Sequence, residues 1–162
     1  MTSHSAAARD SLIPVANRMV TATIHRGCIM SEEMGTFRIA VEIENPVRTG
    51  ERRTLASVLV DTGAELSWFP APILEALGIA RRKVVRFRQA DGTALERWTG
   101  PAFVYAGGTS TVDEVVFGEP NDMVLLGARS LEGLNLRIDP VSKLLVDAGP
   151  VPAAAVSFAM GS

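Results

Sequence analysis

A chain of 162 residues that is 47% hydrophobic has the size and composition of one globular domain, able to bury roughly two-thirds of its unfolded surface. Its 16 basic and 18 acidic residues give a net charge of -2, which excludes the broad basic field of a nucleic-acid or membrane-surface binder. The one cysteine, Cys28, excludes an internal disulfide and indicates a reducing compartment, for which we expect the cytoplasm.

The N-terminal part of the chain, residues 1–35, lacks a sustained hydrophobic period and is rich in alanine, serine and threonine. We therefore predict an extension there, outside the folded domain. The histidines, His4 and His25, lie in this extension, so no metal, no cofactor and no Ser-His chemistry is expected. Its longest apolar stretch is interrupted by proline, asparagine and arginine, and it predicts neither a signal peptide nor a membrane span.

The first predicted elements surround a short polar turn. Residues 36–45 alternate apolar and polar side chains, which predicts a half-buried strand. Residues 55–60, LASVLV, predict a buried strand that stops at Asp61-Thr62-Gly63, a cluster of turn formers. Residues 71–77 predict a short helix, opened by prolines and closed by Gly78.

The rest of the domain predicts further short strands. A hairpin is expected around Asp91-Gly92, a dipeptide favoured in tight turns, with its second strand at 94–98. We predict additional strands at 102–106, 112–117, 123–127 and 143–146, and a brief helix at 128–134. Many short strands at close spacing are typical of an all-β domain, which we place at residues 36–148 with a tail at 149–162.

One ordered set of motifs carries the functional prediction. A hydrophobic strand runs into Asp61-Thr62-Gly63-Ala64, and later a second apolar strand ends in Gly127 before a helix. This set resembles the retropepsin-like aspartic proteases, and the phrase Ile138-Asp139-Pro140 is more similar to their bacterial members. The resemblance implies a closed β-barrel of the acid-protease half-domain type, with one or two short helices, in a two-fold homodimer. The strand at 143–146 and the extension 1–35 would contribute dimer contacts.

The implied chemistry explains why a dimer is needed. Peptide hydrolysis without a metal needs a base to activate water and an acid to protonate the leaving nitrogen. Two carboxyl groups about 3 Å apart share one proton and can perform both tasks. The chain has one Asp-Thr-Gly, so a symmetry mate must supply the second carboxyl. Asp61 is therefore the predicted catalytic residue.

The resemblance also assigns supporting residues. Within the catalytic loop, support would come from Thr62, Gly63 and Ala64. Substrate contacts are expected from Glu65, from a closing hairpin tip at Asp91, Gly92 and Thr93, and from Leu125 and Leu126. Apolar pockets beside the dyad imply a peptide or protein substrate with hydrophobic residues at the cut.

Two departures from the family pattern keep a second interpretation open. The hairpin tip has one glycine where the retroviral pattern has several, and Arg129 stands one position later than the usual arginine. The alternative is a catalytically weak or inactive dimerisation or peptide-binding module with the same fold.

A third interpretation, an RNA binder, rests on a basic cluster, but the balanced overall charge favours a solvated face for it. The cluster consists of Arg81, Arg82, Lys83, Arg86 and Arg88. We assign Trp68 and Trp98 to packing, the commoner role of an aromatic side chain on a small β-domain.

Overall fold

The computed structural model describes residues 37–153. The predicted extension at 1–35, with His4, His25 and Cys28, lies outside the described residues, as do residues 154–162 of the tail. Nine strands and two short helices follow one another in the described part. They are β1 (Arg38–Glu44), β2 (Arg52–Val60), β3 (Ser67–Pro70), α1 (Ala71–Ala76), β4 (Lys83–Arg88), β5 (Ala94–Ala106), β6 (Thr109–Gly118), β7 (Leu125–Leu126), α2 (Ala128–Gly133), β8 (Leu136–Asp139) and β9 (Leu144–Asp147).

Six strands close into a barrel. The seven-stranded sheet has the order β1-β2-β7-β3-β6-β5-β4, and an additional antiparallel pairing of β1 with β5 joins the sheet to itself. The ring is therefore β1-β2-β7-β3-β6-β5, and β4 attaches to β5 outside it. Closure leaves no free edge along the ring. The predicted all-β fold, a closed barrel with two short helices, is confirmed.

Strand β5 corrects one prediction. We expected separate strands at 94–98 and 102–106, but β5 continues through Thr99, Gly100 and Pro101. Its first part pairs with β4 as far as Thr99, and its pairing with β1 starts at Phe103. Pro101 falls between these two partners, where its missing N–H breaks no ladder hydrogen bond on that side. A proline that predicts a strand break is tolerated here because the strand changes partner.

The interior of the barrel is apolar and draws on all parts of the described chain. Inward-facing residues alternate along β1, β5 and β6, as a two-residue period requires. The largest fully buried side chains are Phe69, Phe117, Ile43, Leu74, Leu77, Leu126 and Leu134. Helix α1 contributes Leu74 to this core and α2 contributes Leu131, so both helices pack against the barrel.

The remaining elements agree with the sequence in position and differ in length. A strand was predicted at 123–127, but β7 covers only Leu125 and Leu126, the two residues that pair with β2. Met123 is 58% exposed and lies outside the strand. Strands β8 and β9 form a separate two-stranded antiparallel sheet, and Val141 in the turn between them is exposed. The described residues contain no helix long and apolar enough to cross a lipid bilayer.

We expect Phe117→Ala to destabilise the barrel, because Phe117 is only 1% exposed in the core. Removing a buried phenyl ring costs about 3–5 kcal/mol through lost burial and the cavity left behind. Val141→Ala, at a residue that is 90% exposed, is the control and should change the unfolding free energy by less than about 0.5 kcal/mol. Urea denaturation measures both. Equal effects would contradict the assigned core.

Candidate active site

The loop after β2 presents one carboxyl group. The Asp61 amide donates a hydrogen bond to the Leu126 carbonyl at 3.0 Å, and the Ala64 amide donates to the Asp61 carbonyl at 3.3 Å. The Gly63 amide donates to Asp61 Oδ1 at 2.9 Å. Asp61 itself is half-buried. Backbone hydrogen bonds thus fix both the turn and one oxygen of the carboxylate.

The segment that follows β7 clamps this loop. The amides of Ala128 and Arg129 donate to the carbonyls of Ala64 and Glu65, at 2.8 and 3.1 Å. A Cβ atom added to Gly127, the residue before Ala128, would lie 2.6 Å from the carbonyl carbon and oxygen of Leu66. No side chain fits at that distance, so a glycine is required where the two backbones meet.

Buried hydroxyl groups support the clamp. The Gly127 amide donates to Ser67 Oγ at 2.9 Å, and Ser67 Oγ lies 2.6 Å from Ser130 Oγ. Ser130 Oγ donates to Asp113 Oδ2 at 2.8 Å. Both serines are 0% exposed and Asp113 is 7% exposed. A continuous chain of hydrogen bonds therefore connects the clamp with α2 and β6, and each buried polar group in it has a partner.

The Asp61 loop opens onto a cleft of about 730 Å³. One side of the cleft is formed by the β4–β5 hairpin, and the loop before β7 contributes Asn121, Asp122 and Met123. Trp68 and Phe87 meet in this cleft with ring centroids 4.7 Å apart and planes tilted by 57°. The cleft therefore combines apolar side chains with charged ones.

The predicted site residues divide into two groups. Asp61, Gly63, Ala64, Glu65 and Leu125 line the cleft. The other predicted residues do not line it: Thr62, Leu126, Asp91, Gly92 and Thr93.

Leu126 was expected beside the cleft, but it is fully buried in the barrel core. Successive side chains of a strand face opposite ways, so only one of the two leucines of β7 can face outward.

The hairpin turn forms hydrogen bonds with itself. The Gly92 amide donates to the Gln89 carbonyl at 2.9 Å, and the Thr93 amide donates to Asp91 Oδ1 at the same distance. Gly92 has a φ of 86°, a conformation that glycine adopts without strain. Hydrogen bonds from the Thr93 hydroxyl and amide hold the pKa of Asp91 below its usual range. The turn is ordered by its own side chains.

A bidentate ion pair joins the hairpin to the loop before β7. Arg97 on β5 donates from Nε to Asp122 Oδ2 at 2.7 Å and from the guanidinium to Oδ1 at 3.0 Å. The Glu119 amide also donates to Asp122 Oδ2, at 2.7 Å. The hydrogen bonds from Arg97, followed by those of the loop amide, hold the pKa of Asp122 below its usual value. Nothing in the sequence spacing indicated this pair, because its partners are far apart in the chain.

The structure distributes the basic cluster over different environments. Arg81 forms an ion pair with Glu75, Lys83 lines the cleft, and Arg86 is exposed and does not line it. Lys83 shares a face of β4 with Val85 and Phe87, which also line the cleft. Arg88, at the end of β4, lines the cleft as well. Trp98 was expected to pack in the core, but it is 42% exposed because it lies on the outer side of the hairpin, paired with Val84.

Within residues 37–153, no group of three or more histidine, cysteine, aspartate or glutamate side chains is placed to hold a metal ion. No protein-family model and no curated protein matches the sequence.

Two of the solved structures to which this chain is similar are proteases of retroviruses. The EIAV protease complexed with the inhibitor HBY-793 has a TM-score of 0.46 and 18% sequence identity, covering 64% of this chain and 92% of that chain. The protease of Simian Foamy Virus (mac), solved in solution, has a TM-score of 0.41 and 18% identity, covering 59% and 91%. The closer resemblance to bacterial members stays a prediction.

We expect Gly127→Ala to cost at least about 2 kcal/mol of folding free energy, because the new methyl group would overlap the Leu66 carbonyl and force the clamp apart. Gly118→Ala is a graded control, since its Cβ would meet the Phe69 carbonyl oxygen at 3.1 Å. Chemical denaturation compares the two. A smaller loss for Gly127→Ala than for Gly118→Ala would contradict the described backbone contact.

The Arg97–Asp122 pair predicts a pH-dependent contribution to stability. The folded-state pKa of Asp122 is lowered, so the stabilisation is complete above the unfolded-state pKa of about 3.9 and is lost as pH falls through the folded-state value. Asp122→Asn should therefore cost about 1–2 kcal/mol near pH 7. That cost should shrink below pH about 4.

Urea midpoints from pH 7 down to the lowest pH at which the wild type is folded test this prediction. Glu119→Gln is the control, because the Glu119 side chain is 62% exposed and lies 3.4 Å from Arg97. A pH-independent effect of Asp122→Asn would show that the charge of Asp122 is not what stabilises the loop.

Proposed function

We propose that the chain is an aspartic endopeptidase that acts as a homodimer, with Asp61 of each subunit supplying half of a catalytic dyad. The observation that carries this proposal is the placement of Asp61, in a backbone-fixed turn at the end of a buried strand, on the edge of a large cleft. A carboxylate held in this way is pre-oriented for chemistry, because little has to move when substrate binds.

The case for a second subunit follows from the hydrogen bonds of Asp61. Within residues 37–153, the Asp61 carboxyl accepts one hydrogen bond, from the Gly63 amide, and makes none with another carboxyl group. A dyad that shares a proton needs two carboxyl groups in hydrogen-bond contact. Two copies of the loop related by a two-fold axis would supply them.

The proposed mechanism uses both carboxyl groups. The ionised Asp61 takes a proton from a water molecule, and the resulting hydroxide attacks the carbonyl carbon of the scissile peptide bond. The protonated Asp61 of the other subunit first donates to the carbonyl oxygen. When the C–N bond breaks, a proton passes to the leaving nitrogen, giving an amine and a carboxylic acid. Since one carboxyl must stay protonated, activity should be greatest at mildly acidic pH.

The wall of the cleft favours an apolar sequence around the cut. The apolar lining comes from both the catalytic side and the hairpin side. It includes Ala64, Leu66, Trp68, Val85, Phe87, Leu95, Met123 and Leu125. An extended peptide would bury hydrophobic side chains against this surface and gain affinity from it.

The alternative, a peptide-binding module without efficient hydrolysis, has one observation in its favour. The hairpin turn forms its hydrogen bonds internally, and Asp91, Gly92 and Thr93 do not line the cleft. A hairpin that does not close over the peptide would leave water in the site and slow the reaction. Measuring both cleavage and binding of peptides by the wild-type protein separates the two functions.

We expect Asp61→Asn to lower the rate of peptide cleavage at least about 10³-fold, because the amide can neither accept the proton from water nor share one with its partner. Cleavage of a mixed peptide library from pH 4 to 7 would be followed by mass spectrometry, with sedimentation of each protein in parallel. Glu51→Gln, an isosteric change at an exposed carboxylate that does not line the cleft, is the control.

For a shared dyad, wild-type activity should rise with the square of protein concentration below the dimer dissociation constant. Activity of Asp61→Asn close to the wild type would overturn the proposal, and so would cleavage by a stable monomer. A wild-type dimer that binds peptides and never cuts them would establish the binding module.

A further inference from the structure

Three cationic side chains line the cleft, Lys83, Arg88 and Arg129, and the proposed reaction uses none of them. Lys83 on β4 and Arg129 in the first turn of α2 both line the cleft, with side chains 61% and 46% exposed. Their carboxylate partners are less exposed, since the side chains of Glu114, which also lines the cleft, and Asp113 are 23% and 5% exposed. The cationic ends are therefore the more exposed members of these ion pairs.

The two cations face the same carboxylate oxygen. Lys83 Nζ lies 3.1 Å from Glu114 Oε2, and a guanidinium nitrogen of Arg129 lies 4.0 Å from it. The other oxygen, Glu114 Oε1, accepts a hydrogen bond from the Thr99 hydroxyl. The Glu114 carboxylate thus lies between the two cations, and the hydrogen bond from Thr99 fixes its position.

Asp113 is the second partner of Arg129, but its oxygens are already occupied. Oδ1 accepts the Glu114 amide at 2.7 Å, and Oδ2 accepts the Ser130 hydroxyl at 2.8 Å. The guanidinium approaches Oδ1 only to 3.4 Å. Asp113 therefore orients Arg129 by charge without satisfying its donors.

The donors of Arg129 are available for a ligand. In the described part of the chain, the guanidinium forms ion pairs with Asp113 and Glu114 but no side-chain hydrogen bond. A guanidinium has five N–H donors in a planar fork that matches the two oxygens of a carboxylate. A carboxylate held by this fork and by Lys83 would make short, charge-assisted hydrogen bonds.

We propose that Lys83 and Arg129 form an anion subsite of the substrate cleft, which binds a carboxylate of the peptide. The substrate class is then a peptide with hydrophobic residues at the cut and a glutamate or aspartate side chain at a fixed distance from it. This inference rests on the proposed binding of peptides in the same cleft. The peptide would then need an acidic side chain in addition to the hydrophobic side chains at the cut.

Binding to the Asp61→Asn protein tests the subsite without cleavage. The probes are fluorescein-labelled, C-terminally amidated octapeptides with an apolar centre, in which a single glutamate is moved through the outer positions. Each has a glutamine counterpart. We expect one position where the glutamate peptide binds about tenfold more tightly than its counterpart by fluorescence anisotropy at low salt. The difference should shrink at high salt, because the cations are partly exposed.

Substitutions assign the preference to Lys83 and Arg129. Added to Asp61→Asn, Arg129→Gln should reduce the glutamate-to-glutamine ratio to less than about twofold, and Lys83→Gln should reduce it in part. Arg86→Gln, on the same hairpin but outside the cleft, should leave the ratio unchanged. If Arg129→Gln fails to fold, as judged by circular dichroism, Lys83→Gln at its more exposed position decides the outcome.

The outcomes separate this inference from the proposed function. A glutamate preference that Arg129→Gln abolishes, in a protein whose wild type cuts nothing, supports the subsite and overturns the endopeptidase. Cleavage by the wild type with no glutamate preference at any position overturns the subsite alone. Peptides with a free C-terminus distinguish the two carboxylate sources, because tighter binding of the free acid, with no glutamate preference, would overturn the side-chain assignment.

Discussion

The close approach of two backbones at Gly127 is the constraint on which the rest of the site depends. Strand β7 lies between β2 and β3, and the Leu126 carbonyl accepts the Asp61 amide. Directly afterwards, the chain passes so near Leu66 that no side chain fits between them. Backbone hydrogen bonds to Ala64 and Glu65 then start α2. The position of the Asp61 carboxyl is therefore set by main-chain contacts, which tolerate sequence change elsewhere in the loop.

The buried polar groups make this contact specific. Apolar packing is non-directional, whereas a hydrogen bond requires defined positions of its donor and acceptor. The hydrogen-bonded chain from Gly127 through Ser67 and Ser130 to Asp113 fixes a single arrangement. Among the described residues, no buried side-chain nitrogen or oxygen lacks a partner, so the network carries no desolvation penalty from an unpaired group. It also connects the Gly127 contact with Asp113, which lies beside Arg129.

Local pattern predicted much of this structure, and long-range pairing accounts for the remainder. The strand before Asp61, both helices and the hairpin turn at Gly92 follow from periodicity and turn chemistry, which act over a few residues. Closure of the ring through β1 and β5 joins segments far apart in the chain, and no local signal encodes it. The continuity of β5 through Pro101 was not predicted for the same reason, since it depends on where the neighbouring strands end. The Arg97–Asp122 pair and the face occupied by Lys83 likewise became evident only from the folded barrel.

Symmetry has a consequence for how a homodimer of this kind would choose its substrate. Two copies of the chain would place one Asp61 on each side of the axis, together with two copies of the Lys83 and Arg129 pair. A peptide has a direction, whereas the two-fold cleft has none, so an acidic residue on either side of the cut could reach a cationic pair. The cationic pairs would then select peptides by the distance between the acidic residue and the scissile bond, on whichever side of the bond that residue lies. The apolar lining, repeated in the same way, would favour hydrophobic side chains on both sides of that bond, and specificity would arise from the spacing between the two kinds of contact.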